Sequence, residues 1–172
     1  LAAAHAQGIG VTWKIAVPMY YGCKVDTFNF RTIGTPPEGM PKYKVPAGIK
    51  RDIFSGLTTT LRESVILVEG ELDALKARIN GIPNVVSYGM NYISLEKVRN
   101  AVARGITKFT IIPDNDTKEG VAATMQAGVV NIESSINNLY EGGATEVYIA
   151  PLPMVQAEGG KIIKDTEEFI AV

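Results

Sequence analysis

Three acidic residues follow apolar runs in the sequence, and their type and spacing could bind a divalent metal ion. Glu69 comes directly after the branched apolar run 65–68. Asp114 and Asp116 follow the run 109–112 and are separated by one residue. Carboxylates that lie close together repel one another unless a cation neutralises them or a proton is shared. Magnesium prefers hard oxygen ligands and is usually held by one or two carboxylates together with substrate phosphates, so it is the metal that we expect.

The segments that must position these carboxylates alternate between strand and helix. Strands are predicted near 65–68, 84–88, 107–113 and 145–150, and helices over 71–80, 94–104 and 118–140. Strands that alternate with helices indicate a parallel sheet with right-handed crossovers. In such a sheet the functional crevice lies at the carboxyl ends of the strands. If the first and third of these strands are neighbours, the three carboxylates converge on one rim.

Composition limits the classes of protein to which the chain could belong. Hydrophobic residues make up 46% of the 172, and no apolar stretch reaches the roughly 20 residues that span a bilayer. We therefore expect a cytoplasmic protein with no membrane partner. One cysteine and one histidine exclude an internal disulfide and argue against a zinc site built from these ligands. The chain starts with Leu1 and without the pattern of a signal peptide, so we expect a fragment of a longer protein.

Charge and pattern divide the chain into two predicted domains. Residues 1–62 carry eight Lys or Arg and three Asp or Glu, whereas residues 63–172 carry nine and fifteen, so the net charges are +5 and −6. We predict a basic, β-rich domain over 1–62 and an α/β domain over 63–172. A basic lobe and a carboxylate metal site together suit an anionic polymer, because phosphates need cations and divalent metals need carboxylates. Ordinary surface variation between two lobes is the alternative.

The first domain is predicted to be antiparallel. Two short β-rich runs, 11–17 and 24–33, flank a predicted hairpin turn at 18–22. Residues 34–48 are rich in proline and glycine, which predicts a long irregular loop.

The acidic residues resemble the signature of the TOPRIM domain, which bacterial replicative primases, topoisomerases and some nucleases share. That signature is an apolar strand followed by Glu-Gly-x-x-Asp, and then a second apolar strand followed by Asp-x-Asp and a glycine. Segments 65–75 and 111–123 are similar to its two halves. The resemblance implies an α/β fold with a Rossmann-like parallel sheet flanked by helices, preceded by a small mixed, β-rich basic subdomain.

Three stretches outside this signature resemble the catalytic core of the DnaG-type DNA primases of bacteria and phages: the basic residues between Arg31 and Leu57, the run 85–89 and the stretch 164–169. The resemblance implies one catalytic residue, Glu69, which would act in proton transfer or metal positioning. The residues that it implies as ligands of Mg²⁺ or Mn²⁺ are all acidic: Asp114, Asp116, Asp165 and Glu167. The residues that it implies for contacts with the phosphates of template, primer or nucleotide are basic: Arg31, Lys42 and Lys50.

Three features depart from the primase pattern. The loop from Asp116 to Gly120 is one residue longer than usual. In the stretch that resembles the closing Asp-Pro-Asp motif, Thr166 replaces proline and Glu167 replaces the second aspartate. The 172 residues also contain no zinc-ribbon module of the kind that precedes this core in such primases.

The resemblance implies RNA primer synthesis on single-stranded DNA by a nucleotidyltransferase that acts in DNA replication. The implied partners are a single-stranded DNA template and ribonucleoside triphosphates, with a replicative helicase as a further candidate. A TOPRIM nuclease would instead use the site to cleave phosphodiesters. A non-catalytic nucleic-acid-binding module of a phage or mobile-element protein would keep the fold without its metal. A topoisomerase is disfavoured because no strand-passage domain is recognisable, and a flavodoxin-like receiver leaves the basic first domain unexplained.

Overall fold

The chain folds into two compact units, Leu1–Arg51 and Asp52–Val172. The computed structural model describes most of their residues: 12–21, 24–49, 52–58, 63–90, 92–114 and 122–152. Within this part of the chain, no helix is long and apolar enough to cross a bilayer.

The boundary between the units follows residue 51, whereas the sequence predicted it after residue 62. Phe54 and Leu57 are the reason, because both are fully buried in the core of the second unit. Ser55 also pairs with Ser87 through two backbone hydrogen bonds of 2.8 and 2.9 Å. The segment 52–58 therefore belongs to the α/β unit and contributes to its core.

The first unit contains a three-stranded antiparallel sheet in the order β1-β2-β3. Its strands are β1 (Ile15–Tyr21), β2 (Lys24–Arg31) and β3 (Tyr43–Lys44). Two predictions about this unit were wrong in detail. The predicted turn at 18–22 starts too early, because β1 continues through Pro18, and β1 is an edge strand, where a sheet tolerates proline. The predicted loop contains β3, which adds a short third strand beside β2.

The second unit contains a four-stranded parallel sheet in the order β5-β4-β6-β7, flanked by helices. Its strands are β4 (Glu63–Val68), β5 (Val85–Ser87), β6 (Ile106–Ile111) and β7 (Glu146–Ile149). Its helices are α1 (Glu71–Ile79), α2 (Leu95–Val102) and α3 (Ala122–Glu141). The predicted α/β fold is confirmed, with element ends that differ by a few residues.

The two faces of this sheet are buried in separate hydrophobic clusters, as expected for a parallel sheet covered on both sides. Alternation along β4 sends Val65 and Leu67 into the larger cluster, which includes residues of α2 and α3. Val68 packs on the opposite face with Ala74 and Ala77 of α1. Burial of β4 on both faces explains its continuous apolar run and fixes its last residue beside the turn to α1.

We predict that Phe54→Ala lowers the free energy of unfolding by about 3–5 kcal/mol, because a buried ring is replaced by a cavity. Phe54 is fully buried, and its ring centroid lies 6.3 Å from that of Phe109. Ile79→Ala is the matched control, since Ile79 is 76% exposed and should change stability by less than about 1 kcal/mol. Urea unfolding followed by far-ultraviolet circular dichroism measures both. Equal losses in the two variants would contradict the assignment of 52–58 to the core.

Candidate active site

Glu69 lies at the carboxyl end of β4, in the turn that leads to α1. Its backbone carbonyl accepts two hydrogen bonds from the neighbouring strand end: the hydroxyl of Ser87 donates at 2.7 Å and the amide of Gly89 at 2.9 Å. The Glu69 side chain is half-buried. The backbone that carries this carboxylate is thus fixed to β5, while the side chain keeps partial access to solvent.

Asp114 lies at the same edge of the sheet, after β6. Leu67 of β4 pairs in register with Ile111 of β6, and the Ile112 amide donates to the Leu67 carbonyl at 2.9 Å. Glu69 comes two residues after Leu67 and Asp114 three residues after Ile111, on strands about 4.8 Å apart. The two strands are neighbours, which is the condition for convergence that the sequence left open, and both residues therefore lie on one rim.

The pKa of Tyr88, which follows β5, depends on the negative charge at this rim. Burial is the main cause that raises the pKa of the Tyr88 phenol above its ordinary value. Negative charges raise this pKa further, and they belong to three carboxylates: Glu69, Asp114 and Asp73. All three therefore act on a single buried phenol, which locates a concentration of negative charge at the ends of β4, β5 and β6.

Asp73 has a structural task at the start of α1. Its Oδ2 accepts a hydrogen bond from the Gly70 amide at 3.1 Å, which satisfies a backbone donor at the helix N-terminus. A Cβ at position 70 would lie 2.3 Å from the same oxygen. Asp73 is 8% exposed, so its carboxylate has little room to move away. The glycine after Glu69 therefore leaves room for this cap.

Two of the predicted phosphate-binding residues lie on paired segments of the first unit. Arg31 ends β2, is half-buried, and places its guanidinium 5.4 Å from the centre of the Tyr43 ring. Lys42 has an exposed side chain, and its carbonyl accepts a hydrogen bond from the Thr32 amide at 3.1 Å. Pairing of β2 with β3 thus brings these two cations onto adjacent segments.

The other predicted site residues lie outside the described residues: Lys50, Asp116, Asp165 and Glu167. Within the described part of the chain, no group of three Asp, Glu, His or Cys side chains could hold a metal ion. Mg²⁺ keeps several waters and is commonly bound by one or two protein carboxylates, so the rim with Glu69 and Asp114 fits such an ion as part of a larger ligand set.

Sequence reasoning missed two residues that support the rim, Ser87 and Lys97. Ser87 is fully buried and donates to the Glu69 carbonyl. Lys97 is 1% exposed, and its Nζ donates to the Tyr88 carbonyl. A lysine within an amphipathic helix is normally exposed to solvent. Lys97 lies four residues before the buried Ala101, which places both on one face of the helix, and this spacing could have predicted the burial of Lys97.

No protein-family profile and no curated protein sequence matches this chain. Among solved structures, the primase of Aquifex aeolicus (zinc-binding and RNA polymerase domains) has a TM-score of 0.64 and 26% identity, and covers 91% of this chain and 36% of its own. A DNA primase domain from Pseudomonas aeruginosa has a TM-score of 0.62 and 22% identity, covering 91% and 46%. A DnaG catalytic domain bound to single-stranded DNA has a TM-score of 0.60 and 17% identity, covering 90% and 47%.

These similarities extend over most of the chain, but the chain spans only about a third to a half of the length of those solved chains. They agree with both parts of the described fold, the parallel sheet with its helices and the smaller antiparallel sheet. The fold implied by the TOPRIM resemblance is therefore confirmed. The chain contains a DNA primase-like domain, with the fold of the TOPRIM-type catalytic cores of DnaG-type primases.

Proposed function

We propose that this chain is part of a primase that synthesises RNA primers on single-stranded DNA by metal-dependent nucleotidyl transfer. One observation carries the proposal: Glu69 and Asp114 follow paired neighbouring strands in a primase-like fold and share one rim. The DnaG catalytic domain bound to single-stranded DNA has the same fold, which supports a single-stranded template here. This role would place the protein in the cytoplasm, with a replicative helicase as a candidate partner.

In this proposal Asp114 is the ligand of Mg²⁺ or Mn²⁺ that lies within the described residues. The remaining proposed ligands are Asp116, Asp165 and Glu167. When bound, the metal ion would activate the 3′-hydroxyl of the primer and neutralise charge on the incoming triphosphate. Asp114 would contribute a hard oxygen donor from a half-buried position, where water screens its charge less than at the surface.

Glu69 would accept or orient the proton of the attacking 3′-hydroxyl. A carboxylate can do so only if it is held within hydrogen-bonding reach of that hydroxyl. The two hydrogen bonds to the Glu69 carbonyl restrict the backbone that carries it. Such preorganisation lowers the barrier, because orientation is achieved before the chemical step.

The first unit would hold nucleic acid through its cations. Arg31 and Lys42 lie on adjacent segments, and Lys50 follows them in the sequence. Contacts with phosphate oxygens supply affinity without base specificity, which suits an enzyme that must prime on many template sequences. Ribonucleoside triphosphates present the same anionic groups and are the proposed second substrate.

We predict that Glu69→Gln lowers magnesium- or manganese-dependent primer synthesis by about 10²–10⁴-fold, the usual contribution of a general acid or base. Glu63→Gln is the control, because Glu63 begins the same strand, its side chain is 65% exposed, and it forms an ion pair with Lys108 at 2.7 Å. The measurement is incorporation of labelled ribonucleotides on single-stranded DNA. Equal activity of Glu69→Gln and the wild type would exclude the assignment.

The same preparations distinguish a primase from a nuclease. A TOPRIM nuclease would nick plasmid DNA with Mg²⁺ or Mn²⁺ in the absence of nucleotides, whereas the proposed primase would leave the plasmid intact. If Glu69→Gln abolishes nicking and the wild type makes no primers, the nuclease replaces the primase as the function of the site.

We predict that Lys42→Ala weakens binding of single-stranded DNA and lowers the slope of log K against log salt concentration by about 0.7, the value for one phosphate contact on a single strand. Lys108→Ala is the control, because Glu63 and Glu146 already neutralise Lys108 at 2.7 and 3.1 Å. Fluorescence anisotropy with a labelled oligonucleotide, repeated at several salt concentrations, measures both slopes. An unchanged slope for Lys42→Ala would remove Lys42 from the phosphate contacts.

A further inference from the structure

Lys97 is a buried lysine that the proposed chemistry does not use. It lies on α2, is 1% exposed, and is among the largest fully buried side chains of the described residues. An ammonium group loses its hydration when it is buried, so lysine is seldom found in such a place unless other groups stabilise it. Lys97 Nζ donates a hydrogen bond to the Tyr88 carbonyl.

The Tyr88 carbonyl and the Gly89 amide belong to one peptide group, which connects Lys97 to Glu69. The carbonyl of this group accepts the hydrogen bond from Lys97 Nζ, and its amide donates to the Glu69 carbonyl at 2.9 Å. A donor on a peptide carbonyl polarises the group and strengthens the hydrogen bond that its N–H makes. The hydrogen bond from Lys97 Nζ therefore strengthens one of the two bonds that hold the Glu69 backbone.

The surroundings of Gly89 keep this peptide in one orientation. Gly89 has φ of +61°, a conformation that residues with a Cβ rarely adopt. A Cβ at this position would lie 2.9 Å from Oε1 of Glu71, which is itself 7% exposed. The peptide group is thus enclosed by the Glu71 carboxylate, the Lys97 ammonium and the end of β4.

We infer that Lys97 is a positioning residue for Glu69, acting through the Tyr88–Gly89 peptide group. The consequence for catalysis rests on the proposed function, but the hydrogen-bonded connection itself does not. Loss of the ammonium should weaken the bond from the Gly89 amide to Glu69 and widen the range of positions of the Glu69 carboxylate. That loss should lower kcat while leaving KM for nucleotides unchanged, since Lys97 is buried away from any substrate.

Lys97→Met tests this connection, because methionine nearly fills the same volume without charge or donor. The readout is amide hydrogen exchange by nuclear magnetic resonance, expressed as the ratio of the Gly89 rate to the Ile112 rate. The Ile112 amide also bonds a β4 carbonyl, that of Leu67 at 2.9 Å, and serves as the internal reference for general loss of stability. In the wild type, opening of the Tyr88–Gly89 peptide group must also break the hydrogen bond from Lys97 Nζ, and in Lys97→Met it need not. We expect the ratio to rise by roughly tenfold or more, the effect of losing a hydrogen bond from a charged donor.

Arg99→Met is the matched control on the same helix, because it also removes one positive charge. The Arg99 side chain is 53% exposed and forms only loose ion pairs with Glu96 and Glu141, at 3.8 and 3.7 Å. The ratio of exchange rates and kcat should both stay at their wild-type values in this variant. A rise in the ratio for Arg99→Met equal to that for Lys97→Met would overturn the inference, since charge alone would then explain it.

Further outcomes decide the role of Lys97. A ratio that does not change in Lys97→Met, even with a lower melting temperature, means that the lysine acts only on general stability, and the inference is wrong. If Lys97→Met does not fold, Lys97→Gln replaces it as the test variant, because the glutamine side chain is uncharged and one bond shorter. The same rise in the ratio of exchange rates is expected for Lys97→Gln. An unchanged ratio would overturn the inference. If Glu69→Gln keeps full activity, the proposed function is wrong. The ratio of exchange rates would still test the hydrogen-bonded connection from Lys97 to Glu69.

Discussion

The register of β4 against its two neighbours determines where the candidate functional groups lie. Leu67 of β4 pairs with Ile111 of β6 and with Val86 of β5, so the three strands end at the same level. Glu69 follows β4 and Asp114 follows β6, and both belong to the rim. Tyr88, whose carbonyl accepts the hydrogen bond from Lys97, follows β5. A shift of one residue in β4 would turn its side chains to the opposite faces and remove Glu69 from the rim, which links hydrophobic burial of this strand directly to the site.

Sequence patterns were sufficient for the parts of the fold that depend on burial. Four branched apolar residues before Glu69 are typical of a strand covered on both faces, and the helical spacing after Gly70 indicates where that strand ends. A site shared by the two acidic motifs requires β4 and β6 to be neighbours, a condition that the sequence left open. The pairing of β4 with β6 meets that condition.

Other features depended on contacts between residues distant in the sequence, and local patterns do not contain that information. Pro18 ends a strand in most contexts, and only the edge position of β1 allows the strand to continue through it. Phe54 and Leu57 precede β4, the first strand of the α/β unit, by several residues, so their place in the core of that unit was visible only in the folded chain. The same holds for Lys97, whose partner carbonyl is nine residues away in the preceding loop.

The proposed function requires the rim with Glu69 and Asp114 to bind a divalent metal ion. Anomalous diffraction from crystals soaked with manganese would locate such an ion and its ligands. We expect an anomalous peak bonded to the Asp114 carboxylate at the carboxyl end of the sheet, close to Glu69. A peak only at the exposed pair Glu63 and Glu146, or none at saturating manganese, would contradict it.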